Sequence, residues 1–257
     1  MILTIDIGNT QTVIGLFVDG LLSWTSRIKT DPLRSVADTM AWLSAELQTH
    51  GADAEQIRQT ALVSVVPAAV PALADAVCQL TGHEPVIADR HTAGIGLAIE
   101  QPETLGSDRI INALAVSRRH ALPAIVIDLG TATTISIIDA DGRFIGGTIS
   151  PGLQTAAKAL HQTTAQLPQV EIALATNIPL IGKTTADCIR SGIIQGTAVM
   201  LDGMIDRFEQ QLGQSATRII TGGLAAAVIP CCRQKLTHEP DLLLEGLYEL
   251  ATRRNLK

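Results

Sequence analysis

The feature that most constrains this chain is a repeat. IDIGNTQTVIGLFVDG from Ile5 and IDLGTATTISIIDADG from Ile127, laid over one another without a gap, agree at six of sixteen positions. Asp6 and Asp128, Gly8 and Gly130, Thr12 and Thr134, and Gly20 and Gly142 all stand 122 residues apart. Each copy reads as a short apolar strand, a Gly/Thr-rich turn, a second strand rich in β-branched residues, and an Asp-Gly turn into a third strand. After the first copy come an amphipathic helix over about Leu33 to His50 with Gly51 as its stop, a strand TALVSVVP, and a helix started by Pro67. After the second come a long helix near Thr185 to Leu212, a strand RIITGG and a terminal helix from about Asp241. The expected fold is α/β, two related lobes produced by an internal duplication, with residues 1–120 in the first and 121–257 in the second. A cleft between the lobes is the expected ligand site.

Composition narrows the function. Hydrophobic residues make up 46% of the 257 but aromatics only 2%, so the cores must be built from Ala, Val, Ile and Leu, which suits layered helices and strands. A net charge of −6 without any run of lysine or arginine gives no footprint for nucleic acid or an anionic membrane. The four cysteines form no C-x-x-C pair. With no basic leader and no apolar run of about 18 residues, a cytoplasmic location is expected.

The turns carry the chemistry. Gly-Asn-Thr and Gly-Thr-Ala-Thr-Thr between strands offer backbone N–H groups and hydroxyls to an anion, with glycine allowing close approach. A carboxylate just before each, Asp6 and Asp128, would repel a phosphate unless a cation lay between them. Alternatively these are ordinary hairpin turns whose Asp satisfies backbone donors, a reading weakened by two copies in register. IGKTT at 181–185 does not complete a P-loop, because its first glycine would fall on Asn177. The six histidines are scattered without zinc spacing. GSDR (Gly106 to Arg109) opens a helix. There Ser107 or Asp108 could be the N-cap, or Asp108 a base beside Arg109 at an anion-accepting helix end.

These segments together resemble a type III pantothenate kinase over nearly the whole chain. DIGNT (Asp6 to Thr10), GSDR, DLGTATT (Asp128 to Thr134) and TGG (Thr221 to Gly223) stand in that family's order, with SVVP, GGTISPGL, TAQLPQVEI and PDLLLEGL as further marks. The resemblance implies duplicated ribonuclease-H-like (actin-like ATPase) lobes, as in acetate and sugar kinases, and transfer of the ATP γ-phosphate to the 4′-hydroxyl of pantothenate, the first step of coenzyme A biosynthesis. It implies Asp108 as proton acceptor, and pantothenate contacts from Gly106, Ser107, Asp108, Arg109 and Thr185. It implies ATP contacts from Asp6, Ile7, Gly8, Asn9, Thr10, Gln11, Thr12, Val13, Thr131, Thr221, Gly222 and Gly223. Asp128 would hold a monovalent cation, K⁺ or NH₄⁺, and Mg²⁺ would accompany ATP near Asp6. A homodimer is the family default. Two departures stand out: Ile99-Glu100-Gln101-Pro102 replaces the frequent Tyr-Asp-Asn-Pro, and Ile135 and Ser136 replace a frequent Phe-Asp. The alternatives are another small-molecule kinase of the superfamily, which would lack GSDR in this form, and a non-catalytic ATP-binding accessory protein, which would be free to lose Asp6, Asp108 or Asp128.

Overall fold

The computed structural model describes residues 1–31, 34–173 and 178–253. They gather into two compact units that no single cut in the sequence separates. Met1–Gly96, Glu100–Arg119 and Asp241–Lys257 form one, and Leu97–Ile99 with His120–Pro240 the other.

In the first unit β1 (Ile2–Ile7), β2 (Gln11–Val18) and β3 (Leu21–Lys29) form an antiparallel meander. The Asp-Gly turn between β2 and β3 has φ of 49° at Asp19 and 87° at Gly20, the pair of positive values that a tight two-residue hairpin turn needs. β4 (Gln59–Ser64) joins β1 in parallel and β5 (Val86–Ile87) joins β4, giving the order β3-β2-β1-β4-β5. On one face lie α1 (Val36–Thr49) and α2 (Val70–Thr81), whose Leu43, Leu47, Leu73 and Val77 pack on Leu3, Ile5, Ile7 and Leu62. On the other lie α3 (Ser107–Arg119) and the closing helix α7 (Leu242–Arg253), whose Ile110, Ile111, Leu114, Leu247 and Leu250 pack on Ala61 and Val63. Since strand side chains alternate, Leu3, Ile5 and Ile7 on the α1/α2 face put Asp6 on the face that α3 and α7 cover. The helix expected from Leu33 begins on a residue outside the described set. α1 itself is capped by Ser35, whose Oγ accepts the Asp38 N–H at 3.1 Å, and it ends before Gly51 at φ 66°.

α3 and α7 meet closely, because a Cβ at Gly246 would fall on the Ile111 carbonyl oxygen. Gly246→Ala is therefore expected to cost about 1–3 kcal/mol by overpacking. Gly203→Ala, inside a helix and meeting nothing within 4 Å, is expected to stabilise by about 0.5–1 kcal/mol through helix propensity. Thermal melting of both variants checks the contrast, and a Gly246→Ala melt at or above the wild-type midpoint would mean that the helices can part at no cost.

The second unit repeats the plan. β7 (Ala124–Leu129), β8 (Ala132–Ile138) and β9 (Arg143–Pro151) form the meander, and β10 (Thr217–Thr221) and β11 (Thr237–His238) extend it in parallel. The order is β9-β8-β7-β10-β11, with the short β6 (Gly96–Leu97) beside β9. α4 (Leu153–Thr163) and the 28-residue α5 (Thr185–Leu212) cover one face through Leu153, Ala157, Ile194, Ala198, Leu201 and Ile205, against Ile125, Ile127 and Leu129. α6 (Ala225–Val228) follows β10. The span of α5 is the one expected from the sequence.

The two meanders do not superpose at a single offset. Asp6 pairs with Val13, but Asp128 pairs with Thr134, which is 121 residues beyond Val13. The ladder irregularities, between Leu16 and Phe17 and between Ile137 and Ile138, also stand 121 apart. On either side of that strand the offset is 122: Asp6 answers to Asp128 in the strand before it, and Lys29, facing Gln11, answers to Pro151, facing Ala132, in the strand after it. The turn into β8 is one residue shorter and the turn out of it one longer, so the ungapped sequence match conceals two compensating changes.

Candidate active site

The turn after β1 is tight. The Gly8 N–H donates to the Gln11 carbonyl at 3.0 Å, and a Cβ at Gly8 would stand 2.9 Å from that oxygen, so the residue must be glycine or the turn must open. Asn9, Thr10 and Gln11 are exposed, Asp6 and Val13 half-buried, and Ile7 and Thr12 buried. In register, Asp6 stands between Val13 and Val63.

α3 brings GSDR to its first turn. Its opening carbonyl is that of Gly106, which accepts the Ile110 N–H at 3.3 Å, so the cap position falls on glycine and not on Ser107 or Asp108. Asp108 folds back instead: Oδ1 accepts the Arg109 N–H at 2.8 Å and lies 2.5 Å from where a Gly106 Cβ would be. Only a glycine leaves the carboxylate that place, and the positive end of the helix favours its charge. Burial lowers the Arg109 guanidinium from its ordinary value while Asp108 opposes the shift, and an arginine so placed stays cationic at neutral pH. A carboxylate and a guanidinium on consecutive residues, both half-buried at a helix start, can take a substrate proton and an anionic group.

In the second unit Asp128 has different neighbours. It pairs with Thr134 on β8 and with Thr221 on β10, so threonines flank it on both sides. Ser136, where the family resemblance leads one to expect an acid, lies opposite Val126 on the same face. The Thr131 carbonyl accepts the Gly152 N–H at 3.2 Å and the Thr155 hydroxyl at 2.7 Å. Gly222, at φ 97°, backs onto Leu129, where a Cβ would meet the backbone N and C at 2.6 Å. The TGG segment is thus built against the end of β7, with Thr221 beside Asp128 and Gly222 against Leu129, while the Thr131 carbonyl turns to Gly152 and Thr155. Gly223 follows in open space. Thr185 is the exposed first residue of α5; the cap is Thr184, whose hydroxyl donates to Asp187 Oδ2 at 2.7 Å. Asn177, tested for a P-loop glycine, lies outside the described residues.

Of three further residues that shape the turns, Gly152 lies inside the GGTISPGL segment, while sequence patterns pass over Thr155 and Thr30. Gly152 stands before a helix, which is a signal of a kind. The two threonines give none, because their partners are 22 and 24 residues away.

Among the described residues no group of three or more His, Cys, Asp or Glu side chains could hold a metal ion. A single carboxylate beside a glycine-rich turn fits an ion that brings most of its own ligands, since Mg²⁺ takes one or two carboxylates along with substrate phosphates and water. Among the same residues no helix is long and apolar enough to cross a membrane.

A family model described as type III pantothenate kinase matches residues 2–207. A type III pantothenate kinase from Parafrankia sp. (strain EAN1pec) is 39% identical over 249 residues, 96% of this chain and 96% of that protein. Among solved structures, the (R)-2-hydroxyglutaryl-CoA dehydratase component A of Acidaminococcus fermentans is similar with a TM-score of 0.57 at 13% identity, covering 99% of this chain and 98% of that one. A ROK hexokinase from Thermus thermophilus is similar with a TM-score of 0.51 at 12% identity, covering 99% of each. At such identities the two structures speak for the fold, a two-lobed ribonuclease-H-like α/β architecture.

Proposed function

The chain belongs to the type III pantothenate kinase family, and from that premise we infer how its residues share the reaction. It is a kinase that uses ATP, with a divalent metal such as Mg²⁺, to phosphorylate pantothenate in coenzyme A biosynthesis. The observation that carries the division of labour is that its three motif carboxylates stand in three settings: Asp6 between valines, Asp128 between threonines, Asp108 at a helix start beside Arg109.

Asp108 is the proton acceptor. The 4′-hydroxyl of pantothenate gives it a proton as its oxygen bonds to the γ-phosphorus, the bond to the bridging oxygen breaks, and ADP leaves. Gly106, Ser107, Arg109 and Thr185 contact pantothenate, with Arg109 suited to its carboxylate. The turn from Asp6 to Val13, Thr131 and Thr221 to Gly223 contact ATP. The Asp6 carboxylate beside the first turn is the group that would meet the Mg²⁺ that ATP carries, and that ion would supply charge neutralisation to the phosphates. Asp128, with threonines on both sides, offers one charge and neutral oxygens, a donor set for a weakly held monovalent cation, K⁺ or NH₄⁺. The protein works in the cytoplasm as a homodimer.

ADP release that depends on pantothenate, measured in potassium and in sodium buffer, tests this reading. The wild type should be faster in potassium, and Asp128→Ala should run at equal rates in both. A mutant still activated by potassium would place the ion elsewhere, and a wild type indifferent to pantothenate would remove the assigned roles altogether.

A further inference from the structure

Both turns are held from outside by a threonine that belongs to none of the motifs. Thr30, directly after β3, donates its N–H to the Thr10 carbonyl at 3.1 Å and its hydroxyl to the Gly8 carbonyl at 2.7 Å. With that proton committed, Thr30 Oγ1 can only accept at its 3.0 Å contact with the buried Thr12 hydroxyl, so the relay runs from Thr12 to Thr30 to Gly8. In the second unit the residue equivalent to Thr30 is Gly152, whose N–H likewise meets the Thr131 carbonyl. No side chain fits there, because a Cβ would fall on the Gly130 and Thr131 carbonyl oxygens. The hydroxyl arrives instead from Thr155, in the first turn of α4, and goes to Thr131.

A trans peptide holds its C=O antiparallel to the following N–H. Fixing the Gly8 carbonyl therefore aims the Asn9 amide, and fixing the Thr131 carbonyl aims that of Ala132. The direction of such amides is what a turn offers to an anion. We propose that Thr30 and Thr155 are positioning residues that pre-organise the two turns for the phosphates of ATP, without touching the nucleotide. The inference rests on the reading of these turns as ATP-binding.

The test uses Thr30→Val and Thr155→Val, which keep shape and lose the donor, beside Thr30→Ser and Thr155→Ser, which keep it. ATP and pantothenate are varied in turn in steady-state kinetics, and MgATP binding is measured by calorimetry without pantothenate. Each valine variant should raise the KM and Kd for ATP about five- to tenfold, the loss of one hydrogen bond, and leave the pantothenate KM within about twofold. The serine variants should stay near wild type. Serine and valine behaving alike, or both KM values rising together, overturns the inference. Gly8→Ala separates it from its premise. Unchanged ATP binding in that variant would mean the turn is not the ATP site. Weakened binding there with no change in Thr30→Val would leave the site standing and remove the positioning role.

Discussion

Asp108→Asn is expected to lower kcat by about 10²- to 10⁴-fold, the usual cost of losing a general base. The KM for ATP should move little. Asparagine has the shape of aspartate and keeps an oxygen that can accept the Arg109 N–H, now at 2.8 Å, so the start of α3 should survive the change. What disappears is the ability to hold a proton, together with the negative charge next to Arg109. Rapid-mix measurement of phosphopantothenate formation alongside MgATP calorimetry distinguishes this outcome from a folding defect. Turnover within threefold of wild type would refute the assignment and require another proton acceptor.

The second large effect is expected at Gly222. Its φ of 97° is a conformation that side-chain-bearing residues avoid, at a cost of about 1–3 kcal/mol. The added methyl would also press on the Leu129 backbone at 2.6 Å, for which overpacking adds about 1–3 kcal/mol. Leu129 follows Asp128, so relief by backbone movement would disturb the pairing of Asp128 with Thr221. Gly222→Ala should therefore lower the melting midpoint and weaken ATP and potassium affinity together. Gly223→Ala, whose methyl meets nothing within 4 Å, should melt near wild type. Equal melting of the two variants would show that Gly222 does not have to lie so close.

Much of this was legible as local pattern. The two strand triplets, the positive-φ Asp-Gly turn at Asp19 and Gly20, and the full span of α5 all follow from neighbours in sequence, whose periodicity and turn chemistry are written side by side. What was not legible depends on distant partners. Asp6 and Asp128 look alike in their motifs, and they differ because β4 brings a valine to one while β10 brings a threonine to the other. The apolar face of α7 does not say which surface it will cover; the Gly246 contact with Ile111 decides that. Serine and aspartate are the favoured caps by type, yet Gly106 takes the position because the Asp108 carboxylate needs the space a side chain would fill.

The one-residue slip of β8 bears on how this duplication could be taken apart. A chimera that exchanges the two central strands has to be cut in the flanking strands, where the offset is 122, and must carry both turns with the strand. If β2 were grafted onto the second unit by matching numbers through Thr12 and Thr134, every side chain of the insert would change faces. Ile14 and Leu16, buried in their own unit, would then arrive on the face of Asp128. The slip thus works as a lock and key between a strand and its own two turns, and turn length sets the unit of exchange.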